Sequence, residues 1–263
     1  MKVAMMQPTF LPWAGFFGLI IACDRFVFGD DYQFSAGSFH QRNPLFRNLD
    51  EKAWMTVPMQ KNSKGLALNR AQIADDPPWR EKMWKRISNA YRTAPFFAQV
   101  APPVERWLLT PATSLAEQNM AFIRLACNMM GLNREFRLSS QCNSGLPRSE
   151  RVVDLLRWCD ATVYLCARGS FNYMYDDGVF PVNGIDVLFQ NFLPPTYPQC
   201  AARGKFIPYL SFLDMLFNIG PAAARELVET SSNNWLTWDD MVAACDRHSA
   251  DESAEFDPSQ EHV

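Results

Sequence analysis

Asp30 and Asp31 stand side by side, His40 follows within the same stretch, and these groups are the best suited in the chain to acid-base work. The two carboxylates could also hold a divalent cation, but successive strand residues point to opposite faces, so only one of them is expected to face a given site. No metal site is assigned. Arg42 and Asn43 lie beside His40, and Arg148 and Arg151 flank the start of an apolar segment, RSERVVDLL. A guanidinium offers a planar fork of donors matched to carboxylate or phosphate, and the free amides of a helix start already favour an anion. Arginines at such a start run against the usual charge preference, which points to a bound anion or a carboxylate partner. Gln7 and Thr9 sit in a loop stiffened by Pro8 and Pro12, so they and Trp13 can be held in place before a ligand arrives. Gln7 and Asn43 are the expected orienting groups.

These side chains can meet only if the fold brings them to one edge. Residues 3–6 and 25–29 are short apolar runs on either side of a helix-compatible stretch, 13–22. Parallel neighbours joined in this way place the loop of Gln7 and the Asp30-Asp31 pair together at the carboxyl edge of a sheet, where open α/β folds bind ligands. A second unit of the same kind is read at 135–139, 149–159 and 162–165, with Ser149 as the helix cap and Val152, Val153, Leu155 and Leu156 on the buried side. Between the units, residues 54–59 and 66–73 read as strands around a KNSKG turn, 78–92 as an amphipathic helix and 102–130 as a helical stretch. Asp214 and Asn218 share one face of a helix that Gly220 and Pro221 should stop, as a structural network or as part of the site. The expected fold is α/β: a mainly parallel sheet with crossover helices, a small β insertion and a helical segment. A single domain is expected over 1–245, with the insertion near 44–100.

Composition narrows the function classes. Hydrophobic residues make up 48% of the 263, ordinary for a packed core, and no apolar run approaches the roughly 20 residues of a membrane span. Seven cysteines without paired spacing fit reduced thiols, and the expected location is cytoplasmic. The stretch 246–263 holds six of the 28 acids and one of the 25 bases, which leaves the body at +2. The body therefore carries no basic footprint for general nucleic-acid binding, and the acidic end reads as a disordered tail. His248 and His262 belong to it. GxGxxG, P-loop, HExxH and GxSxG motifs are absent from the sequence, so those chemistries lack their mechanical parts.

The ordered series QPTFLPWAGFFGLI, DRFVFGDD, Arg42-Asn43, WMTVPM, NAYRTAPFF, RSERVVDLL, ATVYL, YPQ and SFLDMLFNIGP resembles the WbqC-like protein family. The resemblance implies motif positions at Gln7, Pro8, Pro12, Gly15, Asp30, Asp31, Arg42, Asn43, Arg151, Tyr164, Asp214, Asn218 and Gly220. It also implies a setting in bacterial surface-polysaccharide (O-antigen) or related biosynthetic gene clusters. The chain departs from the family pattern around Cys166-Ala167-Arg168 and in NPLFRNLDEKAW.

The expected function is a biosynthetic transferase acting on an activated amino-sugar or acyl donor, a small or nucleotide-linked substrate, without a membrane partner; no cofactor is specified. Arg42, Arg148 and Arg151 would bind an anion, and Asp30, Asp31 or His40 would serve acid-base steps. The alternatives are a nucleotidyltransferase-like ATP-dependent ligase, whose usual loop histidines are missing here, and a noncatalytic scaffold.

Overall fold

Strand β1 (Lys2–Met6) pairs in parallel with β2 (Arg25–Phe28), and the helix between them, α1 (Ala14–Ala22), is apolar on every side and buried along its length. In this computed structural model, which describes residues 1–48, 51–199 and 205–255, a long excursion follows β2. It contains a hairpin of β3 (Arg42–Asn48) and β4 (Glu51–Thr56) and three helices, α2 (Arg80–Tyr91), α3 (Phe97–Leu109) and α4 (Leu115–Met129). The chain re-enters the sheet as β5 (Glu135–Leu138), crosses by α5 (Arg148–Trp158) to β6 (Val163–Ala167), and continues through α6 (Phe171–Asp176) to β7 (Asp186–Gln190). Helix α7 (Phe212–Ser231), the short β8 (Trp235–Thr237) and α8 (Trp238–Glu255) complete it.

The sheet order is β5-β2-β1-β6-β7-β8, with every pairing parallel except that of β8. Successive crossovers run outward from β1 to β2 and β5, and then restart on its other side with β6 and β7. The order therefore reverses between β1 and β6, and such a reversal opens a crevice beyond the carboxyl ends of the strands. Alternation along the strands supplies two cores. Ala4 and Phe26 pack with α1, α4 and α7 on one face, while Val3 and Val27 pack with Val152 of α5, Met174 of α6 and Met241 of α8 on the other. The α/β class and mainly parallel sheet are thus as expected. Among the described residues no helix is long and apolar enough to cross a membrane.

Several local readings need correction. Strands β5 and β6 are not neighbours; they flank the β2-β1 pair, because β1 and β2 had already satisfied each other and left only their outer edges free. The partner of β4 is β3, while residues 66–73 make only isolated bridges, Gln33 to Ala67 and Met59 to Ile73. The single helical stretch at 102–130 is two helices, the second capped by Ser114, which accepts from the Glu117 amide. Helix α8 continues past Asp246, where the acidic tail was expected to begin, and residues 256–263 lie outside the described set.

The stop at Gly220 is present as a break inside α7. Gly220 has φ 80° and ψ 162°, a conformation that only glycine adopts readily, and Pro221 restarts the helix. A Cβ there would stand 2.6 Å from the Phe96 ring. Gly220→Ala is expected to cost more than about 2 kcal/mol by urea denaturation, whereas Gly178→Ala, at φ 64° with open space around it, should cost only about 1 kcal/mol of backbone strain.

Candidate functional site

The crevice beyond β1 and β6 holds a cavity of about 510 Å³, within the range of small-molecule sites. Met5, Met6 and Gln7 from the end of β1, Val27 from β2 and Tyr164 from β6 form its sheet side, and Val152 and Leu155 of α5 form one wall. Loop residues Thr9, Tyr32, Ser38, Phe39 and His40 supply another, with Ser139, Arg148, Ser170 and Tyr173 around the rest. The Tyr164 hydroxyl interacts with that of Tyr173, which also interacts with Ser170. Burial pushes Tyr164 well above the ordinary tyrosine value and Tyr173 up to about 12, so both stay protonated at neutral pH.

Asp30 and Asp31 lie in a turn beyond the end of β2, not within it, and both therefore reach the same group, the hydroxyl of Ser139. The alternation rule that separated them does not apply outside the strand. Asp30 is buried and further accepts from the Ser140 amide at 3.0 Å, the Ser140 hydroxyl at 2.7 Å and the Asn69 amide at 3.1 Å. Those donors join the loop after β5, and Asn69 of the excursion, to the turn after β2, which is a structural task. Asp31 takes the guanidinium of Arg151, whose Cζ lies 4.9 Å above the ring of Tyr32. Arg151 thus meets a carboxylate of its own chain and touches the cavity through Tyr32 and Ser139.

The helix start read as an anion site is also occupied from within. Asp177, just past α6, accepts from the Ser149 amide and hydroxyl and pairs with Arg148 Nε at 3.1 Å. Ser149 therefore donates to a cap from another helix and does not cap its own. Arg148 remains largely exposed at the cavity rim.

His40 is buried, with Nε2 donating to Gln7 Oε1 and Nδ1 accepting from the Ser35 amide at 3.5 Å. Both nitrogens are engaged, which suits the neutral ring, and burial holds its pKa below the usual histidine value. The ring thus orients Gln7, and its expected role as a free general base has no open nitrogen to stand on. Asn119 of α4, fully buried, donates to the carbonyls of Pro8 at 2.9 Å and His40 at 2.8 Å and so ties the two loops together.

Among the sequence candidates, Gln7, Thr9, His40, Arg148 and Tyr164 line the cavity; Asp31 and Arg151 border it through Ser139 and Tyr32. Trp13, Arg42, Asn43, Asp214 and Asn218 are not among its lining residues. Trp13 packs edge-on against Phe192 and beside Tyr209. Arg42 lies over Trp54 in the hairpin, and Asn43 is buried opposite Met55. Asp214 accepts from Tyr91 and Tyr197 at 2.7 Å and Gln199 at 3.0 Å, while the Asn218 amide donates to the Asp214 backbone carbonyl. Burial raises the Asp214 pKa against those donors. Sequence reasoning missed Tyr32, Ser139 and Tyr173; only Tyr32, directly after the two aspartates, carried a signal. Among the described residues no cluster of three or more histidine, cysteine or acidic groups could hold a metal ion.

The family model described as the WbqC-like protein family matches residues 7–226. "Uncharacterized protein Rv1507c" of Mycobacterium tuberculosis is 28% identical over 226 residues, covering 84% of this chain and 95% of that protein. No solved structure gives a significant match.

Two outcomes follow from this geometry. The Arg151 and Asp31 side chains keep 18% and 24% of their exposure, so removing the guanidinium should cost less than in a fully buried pair. Without ligand, Arg151→Ala is expected to lose about 1–2 kcal/mol and Arg151→Lys less, by urea denaturation. For His40 the folded pKa is depressed, so its contribution to stability is present above the unfolded value of 6.5 and is lost as pH falls through the folded one. Between about pH 7 and pH 5, the stability of the natural chain should therefore fall relative to His40→Gln.

Proposed function

We propose that this chain, which belongs to the WbqC-like protein family, is a biosynthetic transferase that binds an activated amino-sugar or acyl donor in the crevice beyond β1 and β6. The observation that carries the reading is the position of the cavity: it opens where the strand order reverses, and its lining comes from the end of β1, from β2 and β6 on either side of it and from the turns that follow these strands. Such a site is assembled from parts far apart in sequence. Gln7, fixed by His40, orients the bound group, and Arg148 at the rim meets a negative charge on the donor. Asp31 and Arg151 hold the turn that carries Tyr32. A surface-polysaccharide or related biosynthetic setting, suggested by the motif resemblance, fits a donor of this kind.

The test is a thermal-shift screen of the full chain against nucleotides, nucleotide sugars and acyl-coenzyme A compounds. At about 100 times its Kd a true donor adds about 2.7 kcal/mol, enough to raise the Tm by roughly 5–10 °C in a chain of this size. Val152→Trp, which fills the cavity from α5, should abolish the shift; Gln7→Leu, a milder change, should reduce it. The reading fails if no donor class shifts the Tm, or if the shift survives both substitutions in folded protein.

A further inference from the structure

We infer that the donor group seated in this cavity is acyl, an apolar chain ending in a carbonyl or carboxylate oxygen, and not an amino sugar; the inference rests on the transferase reading of the same cavity. The argument is a count of polar groups still available to a ligand. Ser38 donates to the Ser35 carbonyl at 2.6 Å and accepts from the His40 amide. Ser139 serves Asp30 and Asp31, and the Tyr173 hydroxyl interacts with those of Tyr164 and Ser170. Both nitrogens of His40 are used. As free donors, among the described residues, this leaves the Gln7 amide nitrogen, the Thr9 and Tyr32 hydroxyls and the terminal nitrogens of Arg148. A sugar ring would bring more acceptor oxygens than these donors can meet, and each unmet one is costly in an apolar site.

Charge points the same way. Among the described residues no carboxylate lines the cavity, so an ammonium would find no counter-ion in its lining, while the one charged lining residue among them is the cation Arg148. The remaining surface, from Met5, Met6, Val27, Val152 and Leu155, suits a hydrocarbon chain. Gln7 supplies the polar contact. Because His40 Nε2 donates to its oxygen, the amide is set with its nitrogen as the free end, a donor to an acyl oxygen.

The test uses octanoate as probe, with octylamine, N-acetylglucosamine and a uridine-diphosphate sugar as comparisons, by calorimetry and NMR on the full chain. Octanoate is expected to bind at least about tenfold more tightly than octylamine or N-acetylglucosamine. Gln7→Glu keeps an oxygen for His40 but replaces the donor, and should weaken octanoate about tenfold or more while the protein stays folded. Val152→Trp should block octanoate; a smaller Val152→Phe covers the case in which tryptophan disturbs folding. Equal binding of octylamine or N-acetylglucosamine, or unchanged octanoate affinity in Gln7→Glu, overturns the acyl assignment. A nucleotide sugar that excludes octanoate from the cavity overturns it too, but leaves the transferase reading standing. If none of the probes is sensitive to Val152→Trp, both fall.

Discussion

The opening loop has to satisfy its backbone although two of its residues, Pro8 and Pro12, donate nothing, and the rest of the site depends on how it does so. A buried carbonyl must find a donor from elsewhere when the local chain offers none. Asn119 provides it for Pro8 and the Phe212 amide provides it for Pro12, at 2.9 and 2.8 Å. The Phe10 amide donates to the Phe39 carbonyl at 2.9 Å, and Asn119 spends its second hydrogen on the carbonyl of His40. One buried amide on α4 thereby sets the distance between the Gln7 loop and the His40 loop. The prolines stiffen the loop, but the helices of the excursion give it a position.

The same demand for partners explains why the site is electrically quiet. Asp30 is surrounded by donors from Ser139, Ser140 and Asn69, Asp31 is matched by Arg151, and Asp177 is matched by Ser149 and Arg148. Carboxylates and guanidiniums that looked like chemistry in the sequence are used mainly to join turns after three different strands or helices. What remains facing the cavity is a set of neutral donors on apolar walls, with one rim cation. Neutral donors held in a low-dielectric crevice can favour a developing or resident oxygen charge without the cost of burying an unpaired ion.

Legibility in the sequence followed periodicity. The runs of β1, α1 and β2 and the α5 face of Val152, Leu155 and Leu156 were readable because each buries one continuous pattern, and they place the sheet edge. Strand pairing was not readable beyond the first unit: a run such as residues 135–138 shows that it is a strand, not that β2 will be its neighbour. The surroundings of the cavity were readable where a residue follows a strand end, as with Gln7 in its lining and the Asp30-Asp31 turn beside it. They were lost where walls come from segments without a pattern, as with Ser139 in its short turn and Tyr173 on the six-residue α6. Arg151 drew notice by its odd position at a helix start, but odd charge alone does not tell a ligand from a carboxylate of the same chain.

Asp214, at a motif position outside the cavity lining, has its explanation in how the chain after β7 is tied down. Asp214 and its donors Tyr197 and Gln199 anchor that segment to α7, and Tyr91 adds α2 to the same carboxylate. Phe192 and Tyr209 of the segment then pack on Trp13, and Ser211 bridges to it at the start of α1. The network therefore bears on the opening loop from the face opposite α5, reaching Pro12 through Phe212 while Asn119 reaches Pro8. A side chain such as Asp214 acts on the site by holding the scaffold that holds Gln7, which is why a residue can share a motif with the site and still stand apart from its ligand.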